Sequence, residues 1–355
     1  MITLPRRAVV TTSLLALLTG AGVAAGAQRL VATVSLADFE VEDVPVDFDV
    51  AFAAAEPITG IGFTGDWTAV VADTGGGVYP WSLDLAIRVT APDGVTQQDW
   101  HPIGGDVTIA DYPLQDGKAG LPGVSGTGTF NWEFRNTAIS PGAPWVMGLS
   151  NVQLHLTTDA PDQTLTYGAD VSDGPLWDRP YFIEGISGLG PTHYDAIEFQ
   201  VTESGVYRFQ SVVSSSSAFN YIYRGTFNPS DQLTNLLDYG LGNGNAPNGT
   251  PNGTSLIEVM LFEGQTYHFV VSQWASYTNG QMYTNTITGP GRLMIAGLNC
   301  VGDSNFDYVV DFDDLNTVLA NWNTTGPEGD VNGSGFVDFD DLNDVLSNWN
   351  VNCLN

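Results

Sequence analysis

Oxygen-bearing side chains recur in two segments near the end of the chain, 27 residues apart. Each segment places them at positions 1, 3, 5, 9 and 12 of a twelve-residue loop, where alternate side chains and one backbone carbonyl can point to a common centre. Ca²⁺ takes about six to eight hard oxygens, and this order of oxygens favours it. The sequence therefore predicts two calcium ions. The predicted ligands of the first are Asp303, Asn305, Asp307, Asp311, Asp314 and the Val309 carbonyl, and those of the second are Asp330, Asn332, Ser334, Asp338, Asp341 and the Phe336 carbonyl.

Each loop is followed by apolar residues at helical spacing. This spacing predicts a short helix after each loop, and the two apolar stripes are expected to face each other. No comparable pattern precedes either loop, so neither unit is a full helix-loop-helix. A duplicated loop plus exiting helix, with Asp at position 12, resembles a type I dockerin over residues 298–355. The stripes consist of Leu315, Val318, Leu319 and Trp322, and of Leu342, Val345, Leu346 and Trp349.

The resemblance implies attachment to a cohesin-like or other surface protein through positions 10 and 11 of the loops. These positions hold Phe312 and Asp313 in the first repeat and Phe339 and Asp340 in the second. The family more often has small hydroxyl or other polar residues there, so the phenylalanines are a departure from it. Similarity between the repeats implies two equivalent docking orientations. Tyr308 is a second departure, because position 6 is usually a glycine whose backbone turns sharply.

The two cysteines of the chain, Cys300 and Cys353, lie on either side of the repeats. We predict a disulfide between them, since the chain is expected to reach an oxidising compartment. By the loop-entropy account such a bridge stabilises a small domain by about 2–4 kcal/mol.

The first 27 residues have the features of a signal peptide. Arg6 and Arg7 precede an apolar stretch over residues 8–25, and Ala25-Gly26-Ala27 has the form of a signal-peptidase site. We predict cleavage after Ala27 and a secreted or cell-surface protein with no membrane span after cleavage. A retained anchor is the weaker alternative because threonines, a serine and glycines interrupt the stretch. Both general and twin-arginine export remain open.

Apolar residues alternate with polar ones through the middle of the chain, as in Leu83-Asp84-Leu85-Ala86-Ile87 and Ile197-Glu198-Phe199. The predicted fold is mainly β, with two antiparallel β-sandwich (jelly-roll-like) domains over residues 28–176 and 177–297, followed by a small α-helical dockerin-like calcium-binding domain. The second sandwich resembles the pre-peptidase C-terminal-like domains of exported bacterial proteins, through its strand from Tyr194 and its Glu263-Gly264 hairpin. Those domains are accessory and not catalytic.

Charge composition excludes several classes of partner. Forty acidic residues stand against ten basic ones, and the net charge is −30. Such a surface repels phosphate backbones and anionic lipids, so no nucleic-acid partner and no electrostatic attachment to membranes are expected. It attracts cations.

Motifs for catalysis are scarce, and we predict no catalytic residue. None of the four histidines has zinc-site spacing, and no nucleophile elbow or phosphate-binding loop occurs. The sequence favours an exported non-catalytic protein that attaches through its tail. The alternative is a polysaccharide-binding or polysaccharide-degrading protein, which as an enzyme would be a hydrolase acting on O-glycosyl compounds. Candidates for a sugar-stacking face are Trp100, Trp132, Trp145, Trp177, Trp274, Tyr221 and Tyr223.

Overall fold

The computed structural model describes residues 7–10, 27–70, 84–101, 112–137, 146–181, 185–213, 218–242, 253–275, 282–325 and 328–354. The fold is mainly β with antiparallel sheets, as predicted, and the short pair β1–β4 is parallel. The strands are β1 (Arg7–Val10), β2 (Gln28–Ser35), β3 (Phe39–Val41), β4 (Val46–Val70), β5 (Leu85–Thr90), β6 (Gln97–Trp100), β7 (Tyr112–Asn136), β8 (Val146–Asp159), β9 (Gln163–Asp170), β10 (Leu176–Trp177), β11 (Pro180–Tyr181), β12 (Gly185–Ile186), β13 (Thr192–Val201), β14 (Gly205–Val213), β15 (Ala218–Arg224), β16 (Leu236–Gly242), β17 (Thr254–Leu261), β18 (Tyr267–Ser272), β19 (Met282–Gly289) and β20 (Leu293–Ile295).

The first core lies within β2–β8. Strands β4 and β7 are long and pair with each other, and β4 changes register at three points along this pairing. Register shifts of this kind bend a sheet. Residues from both halves of β4, such as Phe48, Val50, Phe63 and Trp67, therefore belong to one buried cluster. Phe48, Val50 and Trp67 alternate with more exposed neighbours, which is the period-two pattern seen in the sequence, whereas Phe63 lies in a run of buried residues.

The second core lies between two sheets. Phe199 of β13 and Phe269 of β18 come from the six-stranded sheet, and Phe209 of β14 comes from the twelve-stranded sheet. The Phe209 ring centroid is 5.7 Å from that of Phe199 and 5.1 Å from that of Phe269. Strand β9, which precedes the boundary predicted at residue 177, pairs with β19 and contributes Leu165 to this core.

One sheet runs through both cores. Strand β2 pairs with β8 on one side and with β14 on the other, through Arg29 opposite Gly205 and Gln28 opposite Val206. The Leu30 amide also donates to the Ser204 carbonyl at 2.7 Å. The resulting twelve-stranded sheet joins the two units that the sequence predicts as separate sandwiches.

Two helices complete the described elements, α1 (Phe312–Ala320) and α2 (Phe339–Ser347). Each follows one of the predicted calcium loops. Neither is long and apolar enough to cross a membrane, and the same holds for every helix in the described ranges. Of the predicted signal peptide, the described residues are 7–10, which pair with β4, and 27 at its end.

His155 connects three strands of the first core. Its ring is fully buried in β8, with Nδ1 3.0 Å from Thr33 Oγ1 in β2 and Nε2 2.9 Å from Thr64 Oγ1 in β4. Burial lowers the pKa of His155 to about 3. The imidazole is therefore neutral at physiological pH.

We expect His155 to make stability depend on pH. The pKa is depressed on folding from about 6.5, so the unfolded chain takes up the proton first. The stability from the neutral ring is complete above pH ~6.5 and is lost as pH falls toward ~3, by up to about 1.4 kcal/mol per unit. Denaturant unfolding of wild type and His155→Asn at several pH values should show the two free energies converging on acidification. The exposed His101→Asn is the control, and parallel curves for His155→Asn and wild type would contradict the expectation.

Candidate functional site

The first predicted calcium loop brings three carboxylates together. Ligand oxygens of Asp303, Asp307 and Asp314 all lie within 4.8 Å of one another. Asp303 and Asp314 are buried and Asp307 is exposed. Burial raises the pKa of Asp303 to about 6, and the negative charge of Asp314 acts in the same direction. The group could hold a metal ion, whose charge would offset this repulsion between carboxylates.

Backbone N–H groups fix the carboxylate at position 12 of this loop. Asp314 Oδ1 accepts from the amides of Ser304 at 2.7 Å and Asn305 at 3.1 Å, and Oδ2 accepts from the Asp311 amide at 2.7 Å. Asp311 in turn caps α1 and accepts from the Asp313 amide at 2.8 Å. The last loop residue therefore binds the start of the loop and the start of the helix together.

The second loop repeats this hydrogen-bond pattern. Asp341 Oδ1 accepts from the amides of Val331 at 2.8 Å and Asn332 at 3.2 Å, and Oδ2 accepts from the Asp338 amide at 2.8 Å. Asp338 is the N-cap of α2. Position 1 behaves alike in both loops, because Asp303 and Asp330 each accept from the amides four and five residues later.

The two loops differ in their acidic groups. Within the described ranges, Asp303, Asp307 and Asp314 form the one group of at least three acidic, His or Cys side chains that converges closely enough for a metal ion. The second loop has Ser334 at position 5, where the first has Asp307, and Ser334 Oγ donates to the Phe336 carbonyl at 3.0 Å. The assignment of these side chains and of the other predicted residues in both loops as calcium ligands stays a prediction.

The helices bury only half of each predicted stripe. Val318 and Val345 are fully buried in one cluster with Val310 and Val337, and Leu315 and Leu342 pack against that cluster. Leu319 is 52% exposed and Leu346 is 53% exposed. Trp322 and Trp349 are exposed as well. The expectation that the whole stripes face each other is therefore wrong for these four residues, because a nine-residue helix crossing its partner covers only its central positions.

The two repeats are connected by backbone hydrogen bonds between the segment after each helix and the loop of the other repeat. The segment after α1 pairs with the second loop, through the Asn323 amide on the Val337 carbonyl at 2.9 Å and the Val337 amide on the Thr324 carbonyl at 3.0 Å. The segment after α2 pairs with the first loop, through the Asn350 amide on the Val310 carbonyl at 2.8 Å. The predicted disulfide, Cys300–Cys353, is confirmed, with 5.7 Å between its Cα atoms.

Tyr308 attaches the first loop to the second core. It adopts φ = 66°, the left-handed conformation that glycine usually supplies at position 6. Its ring is buried among residues of the second core. Its hydroxyl donates to the Leu293 carbonyl at 3.0 Å and accepts from the Ile295 amide at 2.7 Å. These contacts with β20 offset the backbone cost of a bulky residue in this conformation.

The predicted docking residues lie at the start of each helix. Phe312 is 61% exposed and Phe339 is 62% exposed. Leu319 and Leu346 follow two turns later on the same helix faces. The tail therefore presents two similar apolar surfaces, one on each repeat. Asp313 and Asp340, the other two predicted contact residues, are also exposed.

Most of the predicted sugar-stacking aromatics are not available at the surface. Trp132 lies in the first core, and Trp177, Tyr221 and Tyr223 form a cluster on the second face of the six-stranded sheet. Trp274 packs against that cluster and stacks on Phe219, with 5.2 Å between ring centroids. The Trp145 residue and the Trp100 side chain lie outside the described part of the chain.

Comparison with known proteins leaves the family open. No family model matches the chain, and no curated protein matches it. Among solved structures, the tandem CBM22 modules of Paenibacillus barcinonensis Xyn10C are 13% identical, with 76% of this chain and 99% of that chain covered and a TM-score of 0.20. The tandem CBM51 modules of a Streptococcus pneumoniae family 98 glycoside hydrolase are 11% identical, with 72% and 83% covered and a TM-score of 0.18. At these TM-scores neither likeness establishes a shared fold or function.

Replacing Tyr308 by Phe should lower the free energy of unfolding by about 1–3 kcal/mol, because the buried Ile295 amide and Leu293 carbonyl lose their partner. Denaturant unfolding measures the difference. The control Leu319→Ala truncates an exposed side chain of the same tail, and should change that free energy by less than about 0.5 kcal/mol. Equal stability of Tyr308→Phe and wild type would show that the hydroxyl does not hold the tail to the second core.

Proposed function

We propose that this is an exported, non-catalytic β protein whose tail, residues 298–355, is a calcium-stabilised docking domain of the dockerin type. The observation that carries the proposal is the duplicated loop-and-helix unit with its carboxylates. Both repeats use the residue at position 12 to bind the same backbone amides, and the first gathers three aspartates at one point. A segment that was merely rich in acidic residues would not place them at the same loop positions, with the same hydrogen bonds, in two repeats.

The proposed ions have different ligand sets. Asp303, Asn305, Asp307, Asp311, Asp314 and the Val309 carbonyl would hold the first, and Asp330, Asn332, Ser334, Asp338, Asp341 and the Phe336 carbonyl the second. Bound Ca²⁺ would supply positive charge among carboxylates that otherwise repel one another. The fit is best in the first loop, where the acidic side chains already converge.

The proposed partner is a cohesin-like protein at the cell surface or in an extracellular assembly. Two features of the described tail support it. The exposed phenylalanines of both repeats stand on the first helical turn, at position 10 of the loop that a cation would order. Their apolar rings beside Asp313 and Asp340 offer both buried contact area and polar groups at its edge.

Removing divalent cations should destabilise the tail. Calorimetric titration of Ca²⁺ into the full chain after chelator treatment should show two binding events. At about 100 times the Kd of a site, Ca²⁺ should stabilise the fold by roughly 2.7 kcal/mol for each site. Asp307→Asn should weaken one event by roughly tenfold, because it removes a converging carboxylate. Glu328→Gln, which removes an exposed acid outside both loops, is the control. Absence of binding heat and of any thermal shift would refute the calcium sites.

Docking should tolerate the loss of one phenylalanine but not of both. In biolayer interferometry against immobilised type I cohesin domains with Ca²⁺, Phe312→Ala and Phe339→Ala should each reduce affinity by only about twofold, since one orientation remains. The double variant should lose roughly 30-fold or more. Val301→Ala, which truncates an exposed apolar side chain of the tail outside both loops, is the control. Failure of every cohesin to bind, or binding that survives the double variant, would contradict the proposed partner.

A further inference from the structure

A polar cavity of about 230 Å³ opens between the two cores, away from the tail. One wall comes from β4 and β8 and carries Thr64, Asp66 and Asn151. The opposite wall comes from the end of β15 and from the turn between β17 and β18, and carries Arg224, Phe262 and Gln265. Each unit therefore contributes half of the cavity.

An irregular piece of backbone shapes the first wall. The pairing of β4 with β8 changes register between Thr64 and Asp66, and Asn151 on β8 has φ = 52°. Bulges of this kind redirect a side chain out of the regular alternation of a strand. The side-chain amide Nδ2 of Asn151 donates to Asp66 Oδ2 at 2.6 Å. The amide and the carboxylate are thus fixed side by side on the cavity wall.

The second wall holds a guanidinium nitrogen without a partner. Arg224 Nε is buried and has no hydrogen bond to any described residue. None of the ion pairs among the described residues includes Arg224, although acids outnumber basic residues four to one in the chain. A buried donor left unpaired is unfavourable. Arg224 lines the cavity, and a guanidinium carries five N–H donors that can donate to acceptor oxygens on a ligand.

The buried His155 contacts one residue of each cavity wall. Its Nε2 lies 2.9 Å from Thr64 Oγ1, and its ring centroid lies 5.4 Å from that of Phe262. The Phe262 amide is held in place by the Tyr267 hydroxyl at 2.9 Å. Thr64 and Phe262 are therefore positioned before a ligand arrives, which reduces the entropy cost of binding.

The chemistry of the lining points to a neutral ligand rich in hydroxyl groups. The charges of Asp66 and Arg224 cancel, while Asn151 and Gln265 each offer a donor and an acceptor. Asp66 would repel an anion, and Arg224 would repel a cation. The Phe262 ring supplies an apolar surface on which a sugar ring can lie. We propose that the cavity binds one neutral pentose or hexose unit of a glycan, independently of the tail.

Saturation-transfer NMR on the full chain with glucose, galactose, mannose and xylose tests this site. We expect at least one of these sugars to receive saturation, with and without chelator, because the cavity contains no residue of the calcium loops. Arg224→Gln and Phe262→Ala should weaken binding of that sugar by roughly tenfold or more. Arg208→Gln, an exposed arginine of β14, should bind as wild type does.

Asn151→Gly is the variant that separates binding from folding. Glycine adopts the positive φ of this position without cost, so the variant removes the amide and leaves the backbone unstrained. It should retain the wild-type thermal midpoint and still lose sugar binding. Absence of transfer to all four sugars would overturn the proposal, as would transfer that persists unchanged in Asn151→Gly. Calcium and cohesin binding are measured on the tail, so their failure would be a separate result.

Discussion

The antiparallel pairing of β2 with β14 is the constraint on which the arrangement of the molecule depends. It involves few residues, and it requires Gly205, since a Cβ there would lie 2.2 Å from the Gln28 carbonyl oxygen. Backbone hydrogen bonds between strands are directional, so this pairing fixes one core against the other. The cavity between the cores exists because of that fixed relation. Strand β20, which contacts the tail through Tyr308, pairs with β13 of the six-stranded sheet.

The tail is held together largely by carboxylates and backbone amides. Its apolar core consists of four valines and the residues packed on them, which is little for an independent domain. Asp314 and Asp341 are both fully buried, and each accepts from three backbone amides. The Cys300–Cys353 disulfide joins the two ends of the tail. Backbone hydrogen bonds also connect the segment after each helix to the loop of the other repeat. Burying this much negative charge is unfavourable in isolation, which is the physical basis for inferring a cation.

The sequence predicts local features of this protein better than its long-range ones. Loop spacing, helix position and the cysteine pair depend on neighbouring residues or on there being only two cysteines, so Asp314, Val318 and Cys300 could be assigned in advance. The alternation that marks β2 and β14 gives no information about which strands pair, and their union was not predicted. The cavity was missed for the same reason, since Asp66 and Arg224 lie 158 residues apart. One local signal was present, because Tyr308 stands at position 6, where a glycine is usual.

The Tyr308 contact breaks the symmetry of the tail. Only the first repeat carries this ring, since its counterpart in the second is Gly335. In the proposed complex the two docking orientations would make equivalent contacts with the partner, yet the β body, fixed to one repeat, would project in a different direction in each. On an isolated partner the two poses would be populated about equally. On a crowded surface, steric exclusion by neighbouring molecules would favour one of the two poses. The direction in which the β body projects would then be set by the surroundings and not by the docking interface.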